Sequence, residues 1–301
     1  MSTTTPSTTP VSTTSISTTR RRRITPARAL QATLTGYLPM ILALMIIVFP
    51  LLWMLSSSFK ASGEIVTANP SFLPHQPTLK NYGDVAGALP IGRLFANSAA
   101  VTLIGGGVKL LLAITTAYAV VFIDTAWSKF VFAFVLAALM FPGEAAVIPN
   151  YITIATMGGR NTLWGIILPG LGSAFGTFLM RQQYLTIPKS LLEAAEIDGA
   201  GHWRKLWRIV VPVSVPTIAT VGLITIVTEW NSYLWPLIIT DTPSHMTLPV
   251  GLNLLKSAES STGVYGTLMA GATLIIIPIL IIFAALQKYI VAGLTQGAVK
   301  E

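Results

Sequence analysis

Residues Thr186 to Pro212 read TIPKSLLEAAEIDGAGHWRKLWRIVVP, a charged, amphipathic stretch set between two apolar ones. Two short helices are predicted within it. Pro188 suits the first turn of a helix, where its missing N–H leaves no bond unmade, and Leu191, Leu192, Ala195 and Ile197 supply apolar contacts as far as Gly199. A glycine there permits the left-handed backbone of a tight turn. Beyond it, Trp203, Leu206, Trp207 and Val210 recur at three- and four-residue spacing, which predicts one apolar stripe, and Pro212 starts the next apolar segment. Glu193, Glu196 and Asp198 stand beside this helix-turn-helix as acids for basic groups on a partner. A compact knob docked on another protein and an amphipathic helix resting on a membrane surface both fit the pattern.

Outward from this stretch the chain is apolar. Hydrophobic residues make up 52% of the 301 and charged ones 10%, against about 25% charged in soluble proteins; mean hydropathy is +0.69. A helix needs about 20 mostly apolar residues to cross a hydrocarbon layer of roughly 30 Å. Six stretches qualify, at about residues 36 to 56, 97 to 121, 130 to 151, 162 to 180, 213 to 239 and 266 to 287. Backbone polar groups find no water in lipid, so the predicted fold class is all-α: a polytopic bundle of six transmembrane helices, with the helix-turn-helix between the fourth and fifth. Residues 1–34, rich in Ser, Thr and Pro at their start, are expected to be a disordered tail, and 35–301 the membrane domain. The segment from about 57 to 96, with Pro70, Pro74, Pro77 and Pro90, is expected to be an extracytoplasmic loop. The link from Phe122 to Lys129 is short, whereas 181–212 is long and charged. A transporter pushed by another protein needs such a surface.

The charges give an orientation. Inner segments hold Arg20 to Arg23, Arg28, Lys129, Arg181, Lys189, Arg204, Lys205, Arg208, Lys288 and Lys300, whereas outer loops hold Lys60, Lys80, Arg93, Arg160 and Lys256. This asymmetry places both termini in the cytoplasm and assigns the basic balance to topology and anionic membrane lipid, not nucleic acid. The basic run before the first span resembles the start of a signal peptide, but no small-residue cleavage site follows, and an uncleaved helix is expected. The chain has no cysteine, and His75, His202 and His245 are far apart, so metal and thiol chemistry are not expected. No GxxxxGK[ST] phosphate loop occurs, and ATP hydrolysis by this chain is not expected.

Glu193-Ala194-Ala195, the glycine Gly199 four residues on, Ile209 and Pro212, with Asp198-Gly199-Ala200 in the carbohydrate-branch form, resemble the EAA loop of binding-protein-dependent ABC importer permeases. Leu206 departs from the Phe of many relatives. The resemblance covers residue 36 to the end. It implies a transport subunit like those of maltose and glycerol-3-phosphate importers. Its implied partners are a second permease, two ATPase subunits that bind ATP and magnesium, and an external solute-binding protein. Glu193, Ala194, Ala195, Asp198, Gly199, Ala200 and Pro212 are the implied ATPase-coupling residues. Asn161-Thr162-Leu163, Phe175 to Phe178, Glu229 to Pro236 and Gly293-Leu294-Thr295 look most like glycerol-3-phosphate-type permeases, although sugar permeases share much of this.

Within the spans, Glu144 follows Phe141-Pro142-Gly143, and Glu229 opens Glu-Trp-Asn-Ser-Tyr-Leu-Trp-Pro. A charge at that depth costs roughly 2.5 kcal/mol or more unless paired or wet, which makes both acids candidates for the substrate pathway. Glu229 with Tyr233, and Asn231 with Trp235, are expected to share helix faces beside a kink at Pro236. Glu144, Glu229, Trp230, Asn231 and Tyr233 are therefore read as pathway residues, with packing of the aromatics against the partner or the interface as the other reading. Lys109, alone in the second span, either pairs with one of these acids or reaches an interface. Two buried acids suit a choline-bearing glycerophosphodiester or sugar hydroxyls better than a phosphate monoester. A proton-coupled secondary transporter using Glu144 and Glu229, and a membrane enzyme, are the competing classes; no nucleophile-and-base set supports the latter.

Overall fold

The computed structural model describes residues 33–258 and 264–296. The basic run from Arg20 to Arg23, Arg28, Lys300 and most of the expected tail lie outside the described residues. The chain divides into two compact units, one up to Leu51 and the other from Leu52 onward. Every regular element among the described residues is helical. Helix α1, Leu38–Ser58, follows one π-helical turn and carries apolar side chains on all sides, the composition of a helix in lipid.

The predicted outer loop is partly helical. Helix α2, Lys80–Ala88, forms inside it, and α3, Ile91–Phe122, starts earlier than expected, directly after Pro90. Lys60, assigned to the outer loop, is wholly buried: its ammonium donates to the Ser71 carbonyl at 2.6 Å and lies 4.3 Å above the Trp53 ring. Asn81 fastens the same region by donating to the carbonyls of Ser58 and Lys60, both at 2.8 Å.

Three helical segments are long and apolar enough to cross a membrane, Thr35–Ser58, Ile91–Phe122 and Tyr265–Lys288, and three bent pairs reach that length together. Two of the expected spans, at about 130 to 151 and 162 to 180, are thus broken, and the third bend falls at the head of the one expected from 213. Helices α4, Ser128–Met140, and α5, Val147–Thr156, meet through a 3₁₀ turn at 96°. Pro142 excludes the α conformation at Phe141, which is extended with ψ 124°, so the helix ends there. Helices α6, Leu163–Gly170, and α7, Ala174–Leu185, bend by 46°, where Ser173 caps α7 by accepting from the Gly176 N–H at 3.0 Å. Helix α8 is Lys189–Ile197, and α9, His202–Val213, turns by 84° into Val215–Ile239 between Pro212 and Pro216. That last segment divides into α10, Val215–Trp230, and α11, Leu234–Ile239. Helices α12, Leu248–Ala258, and α13, Val264–Gln296, complete the chain.

Three hydrophobic clusters pack the described helices, the smallest of them Val101, Ile154, Ile166 and Ile239 of α3, α5, α6 and α11. Ala113, Tyr118, Met180, Tyr184 and Val221 of α3, α7 and α10 form one cluster, which also takes in Leu192, Leu206 and Val210 of the α8–α9 segment. Leu94, Trp230, Leu248, Val250 and Ala270 form the second, which joins α3 and the end of α10 to α12 and α13.

Candidate functional site

The predicted helix-turn-helix is present, and its corner closes through backbone bonds. Gly199 is left-handed at φ +75°; its N–H donates to the Glu196 carbonyl and that of Ala200 to the Ala195 carbonyl, both at 2.9 Å. These are the two bonds of a Schellman ending, which satisfies carbonyls that the last turn leaves orphaned. Ala195, Gly199 and Ala200 are thereby given structural work at the corner. Pro188 stands one residue earlier than predicted, as the N-cap with α8 beginning at Lys189.

The apolar pattern of this segment splits into two faces. Leu192, Leu206 and Val210 are buried in the bundle, whereas Leu191, Ile197, Trp203 and Trp207 are exposed, so the single predicted stripe of Trp203, Leu206, Trp207 and Val210 does not form. Glu193, Ala194 and Asp198 are exposed. Glu196 is not available to a partner in the way Glu193 is, because Lys205 donates to its carboxylate at 2.9 Å. The hydrogen bond from Lys205, and then the charge of Lys205, hold the Glu196 carboxyl below the usual carboxylate range. The Tyr118 hydroxyl and His202 Nδ1 lie 3.2 Å apart and join α9 to α3. Sequence reasoning missed Lys205 and Tyr118; a lysine nine residues after an acid across a glycine turn carries no pattern of its own.

A cleft of ≈ 520 Å³ opens between the α3–α4 link and the α8–α9 segment, lined by Asp124, Lys129, Lys189, Glu193, Glu196 and His202 among others.

In the apolar part of the bundle, Lys109 of α3 pairs with Glu229 of α10, each side chain 16% exposed. This settles the choice the sequence left open for Lys109. The pair stands beside the α6–α7 bend, where a Cβ at Gly170 would lie 3.5 Å from the Lys109 ammonium. The face-sharing expected of Glu229 with Tyr233, and of Asn231 with Trp235, is absent, because the helix ends at Trp230 and restarts at Leu234. Asn231 turns back on its own helix and donates from Nδ2 to the Val227 carbonyl at 2.8 Å. Trp230 is packed inside the chain, edge-on to Phe95 and donating to the Ile275 carbonyl at 3.0 Å. Trp235 likewise donates to the Ile166 carbonyl at 3.1 Å. Glu144 is exposed at the α4–α5 bend, and Asn231 and Tyr233 are exposed at the α10–α11 break. The cleft beside the α8–α9 segment is lined by none of these residues.

The family model for the binding-protein-dependent transport system inner membrane component matches residues 109–296. The sn-glycerol-3-phosphate transport system permease protein of Brucella abortus (strain 2308) is 32% identical over 272 residues, 88% of this chain and 96% of that one. The arabinooligosaccharides transport system permease protein of Halalkalibacterium halodurans is also 32% identical, over 85% of this chain and 92% of its own. Among solved structures, a chain of a bacterial ABC transporter involved in the import of the acidic polysaccharide alginate superposes with a TM-score of 0.77 at 22% identity. It covers 88% of this chain and 98% of that one, and shows the fold.

Proposed function

The chain belongs to the family of inner membrane components of binding-protein-dependent transport systems, and from that premise we propose that it is the permease half whose α8–α9 segment is pushed by a separate ATPase. The observation that carries the reading is the division of that segment: one face buried in the bundle, the other presenting Glu193, Ala194 and Asp198 to solvent. A force applied to the exposed face reaches α3, α7 and α10 through packed side chains, which deform little. In this reading the three straight helices, the bent pairs α4–α5 and α6–α7, and Val215–Ile239 are six spans. Both termini and the coupling segment are cytoplasmic. A second permease closes the pathway, two ATPase subunits bind ATP and magnesium, and an external binding protein delivers the solute.

The proposed solute is glycerol-3-phosphate or a glycerophosphodiester such as glycerophosphocholine. The glycerol-3-phosphate permease relatives, which match over nearly their whole length, support this. Pairing with Glu229 offsets the charge of Lys109, so the remaining cations for a phosphate come from the second permease. A mono- or oligosaccharide is the second reading, favoured by the arabinooligosaccharide relative at equal identity. A proton relay is disfavoured, because Glu229 is held by Lys109.

Glu144, Asn231 and Tyr233, exposed at two breaks in the helical backbone, are proposed to face the pathway that the second permease completes. Reconstituted complexes in proteoliposomes test these assignments, with labelled glycerol-3-phosphate, glycerophosphocholine and arabinooligosaccharide as solutes. ATP-dependent uptake of an organophosphate is expected. Uptake of the oligosaccharide alone would replace the solute, and uptake driven by a proton gradient without ATP would replace the class. Asn231→Ala and Glu144→Ala are expected to lower uptake per assembled complex severalfold with basal ATP hydrolysis retained; unchanged uptake withdraws them from the pathway.

A further inference from the structure

Helix α9 has a face that neither the bundle nor the proposed coupling contact uses. Trp203, Arg204, Trp207 and Arg208 form a Trp-Arg pair repeated at four residues, and all four are exposed, whereas Lys205, Leu206 and Val210 on the opposite side are buried. The two indoles pack edge to face with centroids 5.7 Å apart. Together with Gly199, Gly201 and His202 these side chains line an open cleft of ≈ 730 Å³ that contains no acid. The cleft on the other side of the segment differs, since Asp124, Glu193 and Glu196 stand among its lysines. Helix α9 also runs at 84° to the span it leads into. If that span crosses the bilayer, α9 lies close to the plane of the surface, at the depth where tryptophan rings settle among headgroups and arginines meet lipid phosphates.

We propose that the Trp203–Arg204–Trp207–Arg208 face of α9 binds the headgroups of anionic phospholipid, anchoring the coupling segment to the leaflet beside it. The cleft is cationic and aromatic without a compensating carboxylate, which fits a phosphodiester with acyl chains beneath it. A protein partner for so basic a face would have to be acidic. The inference rests on the reading of α10 as a span, and its failure is separable from failure of the orientation. The native chain has no cysteine, so Gly201→Cys reports by labelling which side of the membrane carries the segment, whatever the lipid result.

The test uses the assembled complex in nanodiscs of phosphatidylcholine containing brominated phosphatidylglycerol or, at equal mole fraction, brominated phosphatidylcholine. This chain contributes seven tryptophans to the emission of the complex, and subtraction of a Trp203→Phe/Trp207→Phe complex isolates the pair. Quenching of the pair is expected to be at least twofold stronger with brominated phosphatidylglycerol and to lose that preference at high salt. Arg204→Gln/Arg208→Gln is expected to weaken the apparent affinity for phosphatidylglycerol by about fivefold per arginine, the contribution of a basic residue near an anionic surface. Equal quenching by the two lipids, or a preference that survives removal of both arginines, overturns the proposal. So does loss of the ATPase subunits from the arginine variant with its lipid preference intact, which would assign the face to the ATPase.

Discussion

Two of the corners at which the described helices break look alike on paper and are built differently. At α8–α9 the break is written in a single residue: Gly199 takes φ +75°, and two backbone bonds finish the helix before it. At α10–α11 there is no glycine and no positive φ. The Val227 carbonyl accepts from both the backbone N–H and the side-chain Nδ2 of Asn231, and Pro236 then lacks the N–H that would have carried the ladder past Ser232. The first corner is a covalent preference of the backbone. The second is a sum of local hydrogen-bond choices among partly exposed residues, where alternative partners lie closer in energy. On these grounds the first corner should be rigid and intolerant, the second adjustable.

The largest effect should come from forcing a β-branched side chain into the left-handed corner. Gly199→Val is expected to abolish transport while the protein still reaches the membrane, because valine at this φ is strained and the Schellman bonds must open. Asn231→Ala, which removes the side-chain donor from the other corner, should leave assembly intact. Uptake and assembled-complex yield measured on both variants decide the matter: transport near wild type with Gly199→Val would erase the contrast between the corners.

The next effect belongs to the pair that braces α10 just before its break. Lys109→Met alone or Glu229→Gln alone leaves one partly buried charge without its counter-charge, and a loss of about 3 kcal/mol in stability is expected. The double variant Lys109→Met/Glu229→Gln should recover much of this, because it strands no charge. Thermal unfolding of the purified complex by intrinsic fluorescence reads the difference. Losses in the single variants that simply add in the double would show that the two side chains act independently.

Much of this arrangement is legible in the residues alone, for identifiable reasons. The apolar stretches point to the helical class, since lipid leaves the backbone few alternatives, and Gly199 with Glu193-Ala194-Ala195 marks the corner. The bends are not legible, although their residues stand out: Phe141-Pro142-Gly143 draws the eye as a place for Glu144, yet hydropathy does not register direction, and a 96° turn leaves mean apolarity unchanged. The two-faced character of α9 is equally hidden. Three- and four-residue spacing groups Trp203 and Trp207 with Leu206 and Val210, but only packing against α3 and α7 decides which pair turns inward. Pairings such as Lys109 with Glu229 join residues 120 apart in the chain, and no local pattern encodes them.

The smallest effect concerns the brace across the rigid corner, where the two partners are unequal. The Lys205 side chain is 7% exposed and that of Glu196 is 73% exposed, so the ammonium has given up water while the carboxylate has kept most of its own. Removing the acid therefore strands a buried cation, whereas removing the lysine frees an already solvated carboxylate. Glu196→Ala should raise amide exchange in residues 189–205 by a few fold, and Lys205→Met, whose chain fills the same space, should leave it near wild type. The pH response follows from the lowered Glu196 pKa, caused first by the Lys205 hydrogen bond and then by its charge. A group whose folded pKa is depressed contributes fully above its unfolded value and loses that contribution as pH falls through the folded one. Exchange protection of this corner, corrected for the intrinsic rate, should thus be constant through neutral pH and decline only below the ordinary carboxylate range. In Glu196→Gln that acid decline should be missing. A wild-type decline already near neutrality would assign the titration to another group and would leave the brace between Lys205 and Glu196 without a role in holding the corner.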